Sequence, residues 1–359
     1  MISVSDAWKE NQLDLIVTEG FVEITFVGTG LVFDKTHITK YTHSQDGCLL
    51  SGKLPTNQIS FSLDNTLGTY NPNTANFAEH QKITVRYGFD FNGDGVANEW
   101  IKAGTFYLTE WHTPANGLET SFEARDLLAF FMDKPYKGIT SGTLKQIAES
   151  AIAQAGLPSD AVVEISNTLS KYTTAITVEH TLAEVLQLCA NAACCVLWQD
   201  RDGKLKIQPA SNAMSDYVVR EGWAYSYPEY EVSKPLKAVN VSYSNYESRE
   251  LAVASGGETQ SVSNELVTLE TQAYEIAHWV ASLLKNRKQV SGEFRADPRL
   301  DIFDKVKVES KYGVNEAVVI TNITYDFSGS FRGTYSGRVG SFDAITNAYH
   351  SGDLFAGEV

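Results

Sequence analysis

The segment DFNGDGVANE, residues 90–99, spaces its oxygen-bearing groups as a calcium loop does. Asp90, Asn92 and Asp94 stand at positions one, three and five of such a loop. Gly95 stands at position six, where the chain must turn sharply, and the Val96 carbonyl and Asn98 supply positions seven and nine. Hard oxygens at this spacing can wrap one Ca²⁺, whose role would be to pin a loop. Position twelve is Ile101 where an EF-hand has Glu, so Glu99 or a residue from elsewhere would complete the shell. Strand-like sequence on both sides makes this a clasped β-hairpin. The plain alternative is a hairpin loop rich in Asn-Gly and Asp-Gly turn formers, without an ion. Structural Ca²⁺ is the one cofactor the sequence suggests.

Catalytic motifs are missing: there is no GxSxG, no HExxH, no Walker A and no GxGxxG opening a helix. Glu110 and His112 share a face of a strand end, but nothing nearby nominates a nucleophile. Asp200 and Asp202 flank a turn and read as solvated turn formers, not as a glycosidase pair. His278 falls within a helix and reads as a packed or surface histidine, not a base. Trp100, Trp111 and Trp198 could stack on sugars or bases; in strands they read as core or interface. Tyr225, Tyr227 and Tyr230, in AYSYPEYEV, suit a protein interface. Of the four cysteines, Cys48 is isolated, while Cys189, Cys194 and Cys195 surround a helix end. Adjacent Cys194 and Cys195 are expected on opposite faces of a strand. Without a CxxC pair they read as buried thiols, not zinc ligands.

The elements that must carry these residues show a doubling. SFSLDN, KITVRYG, EWIKAGTFYLTEW and LETSFEARD follow one another from Ser60 to Asp126. SGEFRADP, DKVKVES, NEAVVITNITYDF and SFRGTYSGR repeat that order from Ser291 to Arg338. Lys82 matches Lys305 and Arg125 matches Arg338; the likeness is one of pattern, not of letters. Alternation within each segment predicts half-buried antiparallel strands. Between the copies the chain changes character. GTLKQIAESAIAQAGLP is an amphipathic helix with a capping box at Thr143 and Gln146, ended by Gly156. A second helix opens with a box at Thr181 and Glu184, and a hairpin turning at Asp202-Gly203 follows. A third helix, AYEIAHWVASLLKNRK, precedes the second copy. This order of β block, α/β module and β block excludes a doubly wound sheet.

Composition agrees. The chain has 359 residues, enough for two or three domains, and its 17 Tyr and 17 Phe fall largely in alternating segments. No apolar run approaches the ~20 residues of a membrane helix. The N-terminus is not patterned as a secretory signal, so folding in a cytosol is expected. A net charge of −15 argues against a groove that tracks phosphates.

Taken in order, SFSLDN…GTYNP, KITVRY…EWIKAGTFYLTEW, FEARDLLAFF, TLKQIAESAIAQAG and TLAEVLQLCANAACCVLWQDRDGKLKIQP resemble the tail-tip hub proteins of long-tailed bacteriophages. ADPRLDIFDKVKV with ITNITYDFSGSFRGTYSGR resembles the closing barrel of that family. The resemblance covers residues 1–340. It implies a mainly β chain with α+β character: two similar antiparallel β-barrel domains separated by a small α/β module, with accessory helices. The expected bounds are 1–135, with an insert at 88–99, then 136–212, 213–340 and a tail at 341–359.

The resemblance also implies a structural virion protein, made in the host bacterial cytoplasm and located at the tail tip. Three chains would form a homotrimeric, pseudo-six-fold baseplate hub ring. A distal tail ring or tail tube protein would sit above it, with the tape-measure protein C-terminus in the lumen. Tip, fibre or receptor-binding proteins would sit below, and genome DNA would pass through without specific binding, repelled by the acidic surface. Longer members continue into fibre, peptidase or lysozyme-like segments. This chain stops soon after the second copy, so receptor binding and wall digestion are expected of other proteins. Alternatives from other classes are a distal tail ring protein, a calcium-dependent receptor-binding adhesin and a cell-wall hydrolase.

Overall fold

Alternating sequence becomes strand, and the way the strands pair explains the doubling. The computed structural model describes residues 2–11, 19–48, 53–71, 77–211, 213–244, 247–295, 297–311, 315–328 and 330–340. The tail expected at 341–359 lies outside the described residues. Helix α1 (Asp6–Asn11) precedes seven strands: β1 (Glu19–Phe26), β2 (Leu31–Phe33), β3 (Ile38–Asp46), β4 (Thr56–Asp64), β5 (Lys82–Asp90), β6 (Glu99–His112) and β7 (Glu119–Arg125). After β7 the chain makes a single 3₁₀ turn, Leu127–Phe130, capped by Asp126 on the Leu128 N–H.

The middle contains β8 (Ser141–Thr143), α2 (Leu144–Ala155), β9 (Val162–Ile165), β10 (Thr173–Ala175), α3 (Leu182–Ala192), β11 (Val196–Gln199) and β12 (Lys204–Gln208). Both capping boxes form, and Gly156 closes α2 at φ 69°. Leu144, Ile147, Ala148, Ala151 and Ala155 are buried together, as helical spacing requires. Contrary to expectation, Cys194 and Cys195 do not straddle a strand. Cys194 lies in the turn before β11 with φ 55°, and the Cys195 N–H returns to the Ala190 carbonyl. The helix end needs a left-handed residue, and the sequence puts cysteine where glycine is usual. None of the four cysteines is in a disulfide, and Cys189 and Cys195 are buried. Burial pushes Cys189 up to about 12 and Cys195 to about 11, so neither is a thiolate at neutral pH.

The remaining elements are β13 (Met214–Val219), β14 (Glu229–Val232), β15 (Leu236–Tyr243), β16 (Glu247–Ala252), β17 (Glu258–Val262), α4 (Glu270–Leu284), β18 (Lys288–Arg295), β19 (Lys305–Glu309), β20 (Asn315–Phe327) and β21 (Phe331–Val339). Strands β16, β15 and β17 form a small sheet under α4.

The two copies share one strand order. Copy one runs β4-β7-β6-β5 and copy two runs β18-β21-β20-β19, with every neighbour antiparallel. The matched residues fall on one rung in each: Lys82–Tyr107–Arg125–Gln58 and Lys305–Val319–Arg338–Gln289. Even the irregularities recur. The registers slip at Thr109 and at Thr321, and each threonine hydroxyl donates across the bulge, to the Glu123 carbonyl at 3.0 Å and to the Ser336 carbonyl at 3.3 Å. Before β5 and β19 the chain takes one left-handed residue, His80 (φ 59°) or Phe303 (φ 66°). Its N–H reaches the carbonyl of Leu108 or Ile320 at 2.7 Å.

The copies are not insulated from each other. Strand β3 pairs with β4 on one side and with β20 on the other, so one 13-stranded sheet runs through both. Copy one fills its interior with aromatic rings. Phe61 and Phe122 stack at 4.9 Å, and Phe26 and Phe77 meet Phe122 edge-on. At the joint, the Phe331 ring lies 5.0 Å from Tyr87 and packs over Gly20, where a Cβ would stand 2.7 Å from the ring.

Candidate functional site

The residues singled out for chemistry are largely committed to holding the fold. In the 90–99 loop, Asp90 is buried and both of its oxygens accept backbone N–H bonds: Oδ1 from Asn92 and Gly93 at 2.8 Å, Oδ2 from Gly95 at 2.6 Å. Burial alone would raise this carboxyl, but the N–H groups of Gly95, Asn92, Gly93 and Asp94 outweigh it and hold it below the usual range. Asp94 accepts from the Val96 N–H at 3.0 Å, and Asn98 Oδ1 from the Phe91 N–H. Asp90, Asp94 and Asn98 thus each accept from the loop's own N–H groups. Glu99 turns elsewhere: its carboxylate accepts from the N–H and hydroxyl of Ser5, at the start of α1. Among the described residues, no three His, Cys, Asp or Glu side chains converge as a metal cluster.

Glu110 and His112 both stand exposed on β6. Asp200 and Asp202 separate: Asp200 pairs with Lys206 at 2.8 Å, and Asp202 reaches Lys102 of β6 at 3.1 Å. Trp100 lies under the Arg86 guanidinium at 4.3 Å, and Arg86 is also bonded twice to Glu23. Trp198 meets Phe303 edge-on at 5.8 Å. His278 packs against Tyr274 on α4, and burial lowers its pKa. Tyr225, Tyr227 and Tyr230 are exposed, each at more than a third of its surface.

What the fold does build is a polar seam between copies, which no local pattern announces. Residues Asn322–Phe327 of β20 pair antiparallel with Asp46–Tyr41 of β3. Beneath that seam His43 is fully buried, bonded to Asn57 Oδ1 at 2.9 Å and to the Tyr87 hydroxyl at 2.7 Å. An amide oxygen only accepts, so Nε2 carries the proton. Nδ1 then accepts from Tyr87, which accepts in turn from Tyr41 at 2.8 Å. Burial, only partly offset by Asn57, pushes His43 down to about 4, so the ring is neutral.

Arg201, from the β11–β12 turn of the middle module, enters the same region. Its guanidinium donates to the carbonyls of Pro298, Leu300 and Lys102 and pairs with Asp301 at 3.3 Å. Tyr325 closes the seam by donating to the Leu300 carbonyl at 2.7 Å. Gln199 ties the module to copy one, accepting from the Leu127 N–H at 2.9 Å and donating to the Thr105 carbonyl at 2.7 Å. Module and copies are thus fixed to one another by buried hydrogen bonds, those of Arg201 charge-assisted.

The sheet also ends in open edges. Strand β14 terminates its path, with all four residues exposed, and β2 terminates the other end. Beyond the Thr109 bulge, β6 pairs with β7 only, leaving one side of Glu110–His112 without a strand among the described residues. Unpaired edges are pairing templates. No helix among the described residues is long and apolar enough to cross a membrane.

No family model matches the sequence, and no curated protein does. Solved structures match nearly the whole chain. The 43 kDa tail protein of prophage MuSo2 from Shewanella oneidensis is similar over 89% of this chain and 98% of its own, at 15% identity and a TM-score of 0.62. The tail protein from Neisseria meningitidis MC58 is similar over 90% and 96%, at 13% identity and a TM-score of 0.64. Prophage tail protein gp18 from Listeria monocytogenes EGD-e is similar over 90% and 95%, at 12% identity and a TM-score of 0.57. The chain has the fold of these tail proteins.

Proposed function

We propose that this chain is a structural, non-enzymatic subunit of a phage-type tail tip, and that three copies form a hub ring around a channel for DNA. The observation that carries the reading is the β3–β20 seam. One chain already joins two equivalent four-stranded units edge to edge, and it leaves an edge open at each side for a further joint. Two units per chain and three chains give a ring that can face a six-fold tube above and a three-fold tip below. The tail-protein fold supports the same assignment. A net charge of −15 suits a wall that DNA slides past, because like charge repels the phosphate backbone.

In this reading a distal tail ring or tube protein docks above, a tape-measure C-terminus occupies the lumen, and tip or fibre proteins attach below, all within the virion. Light scattering on the purified chain should give three times the monomer mass, and negative-stain images should show rings with a central hole. A monomer that persists at high concentration would overturn the reading. Within it, the 90–99 loop takes one structural Ca²⁺ through Asp90, Asp94, Asn92, Asn98 and the Val96 carbonyl. Titration calorimetry should detect binding that Asp94→Ala abolishes. Absence of heat up to about 10 mM Ca²⁺ would sink that assignment.

A further inference from the structure

We propose that, in the ring, the open edge of β14 pairs antiparallel with the end of β6 in the next chain, placing Val232 opposite Trp111 and Glu231 opposite His112. This rests on the ring reading above, and its register comes from the chain's internal symmetry. The rung shared by Gln58 and Gln289 makes Ser44 of β3 equivalent to Glu231 of β14, because Ser44 faces Gln58 and Glu231 faces Gln289. Gln45 and His43 then correspond to Val232 and Tyr230. The twin bulges make Trp111 and His112 of β6 equivalent to Ile323 and Thr324 of β20. Inside the chain Ile323 faces Gln45 and Thr324 faces Ser44. The same joint made between chains sets Trp111 against Val232 and His112 against Glu231.

Burial supports the correspondence. His43 and Gln45, at the internal seam, are 0% and 2% exposed, whereas their counterparts Tyr230 and Val232 are 38% and 55% exposed. On the other side of the seam Phe331 is 3% exposed, while its counterpart Leu118, by the Arg125–Arg338 match, is 54% exposed. Apolar side chains thus stand in water where the seam would cover them. The pairs are suitable: an aromatic against a β-branched residue on one face, and an imidazole against a carboxylate on the other. A second copy is the occupant because the chain carries both halves of the joint. The contact is head-to-tail, so it closes when the last β6 meets the first β14.

The test is a register-specific cross-link in the full chain. Oxidised W111C/V232C should run as a covalent ladder up to the ring on non-reducing gels, since directly opposed Cβ atoms lie within disulfide reach. E110C/V232C, one rung off, and the single variants should not. In the otherwise unaltered chain, Val232→Lys should raise the dissociation midpoint by about tenfold or more without lowering the melting temperature of the monomer, because an unpaired ammonium would be buried only in the joint. Rings without the 111–232 link, stronger linking off register, or an unchanged midpoint in V232K would overturn this joint and leave the ring reading standing. A chain that never assembles would bring down both.

Discussion

Acid should act on this fold through buried groups of opposite sign, and separating His43 from Asp126 tests how the seam is built. His43 has a folded-state pKa of about 4 against an ordinary 6.5, so the folded chain binds fewer protons, and stability is lost as pH falls from 6.5 toward 4. Asp126 behaves oppositely. Burial raises it to about 7 from 3.8 despite Arg125 and the Leu128 N–H, so stability is gained as pH falls below 7. A tenfold difference in proton affinity between folded and unfolded chains is worth about 1.4 kcal/mol. Moving from about pH 7 to about pH 5 therefore costs roughly 2 kcal/mol at His43 and returns roughly 2 kcal/mol at Asp126. These two contributions offset each other, while His278, lowered by burial, and Asp304, raised by it, titrate alike in parent and variants. Asp126→Asn keeps an acceptor for the Leu128 N–H but abolishes the titration, so this variant should lose about 2 kcal/mol over that interval relative to the parent. His43→Gln should instead gain about the same amount over the interval. Carboxylates held low, such as Asp34 and Asp160, titrate below the interval and do not enter it. Urea midpoints at several pH values, at one chain concentration, read the difference directly. A D126N profile parallel to the parent would refute the reading of Asp126 as a carboxyl raised by burial.

Replacing Arg201 by Met should cost about 3–5 kcal/mol in guanidinium unfolding, because Asp301 loses its buried partner, the Pro298 and Lys102 carbonyls each lose a charged donor, and the Leu300 carbonyl keeps only Tyr325. Lys at 201 should recover little of it, lacking the planar fork, and full recovery would argue that charge alone is required. Gly20→Ala should destabilise by about 1–3 kcal/mol, through its clash with the Phe331 ring. An unchanged melting temperature in that variant would mean that Phe331 moves freely. Thr321→Val and Thr109→Val should each cost about 0.5–1.5 kcal/mol, with denaturation midpoints shifting in the same direction, if the two bulges are equivalent.

The parts legible in the sequence are those with local causes. A capping box needs only Thr143 and Gln146, or Thr181 and Glu184, three residues apart. The Asp202-Gly203 turn needs only a residue that tolerates φ of 85°. The doubled block is legible because Lys82, Arg125, Lys305 and Arg338 mark strands of fixed order. The seam is not, because β3 and β20 are separated by some 280 residues and backbone pairing leaves no local pattern. By sequence Arg201 is a turn residue beside Asp200 and Asp202; only the fold shows that its side chain crosses into copy two. Sequence position assigns Glu99 to the loop that it ends, but α1 brings Ser5 to it. Strand alternation governs neither Cys194 nor its neighbour, because the demand of a helix end overrides it. Thr109 and Thr321 carry a signal that pattern matching passes over: each lies two residues beyond the rung that pairs with the closing arginine.

These hidden parts are also the ones that set geometry. A sheet joined by backbone bonds alone could twist by several degrees at each rung, because strand twist varies widely. In this chain Arg201 binds the middle module to both copies at once, and Gln199 binds it to copy one again. Buried polar groups whose geometry tolerates little change thus act together with the sheet in holding the angle between copies. A ring needs that restriction. If each chain contributes two units and three chains close, an error in the internal angle is repeated three times before the last edge meets the first. Among the described residues the module between the copies contributes no strand to the main sheet, but in the proposed ring its contacts would help to decide whether β14 of one chain can meet β6 of the next.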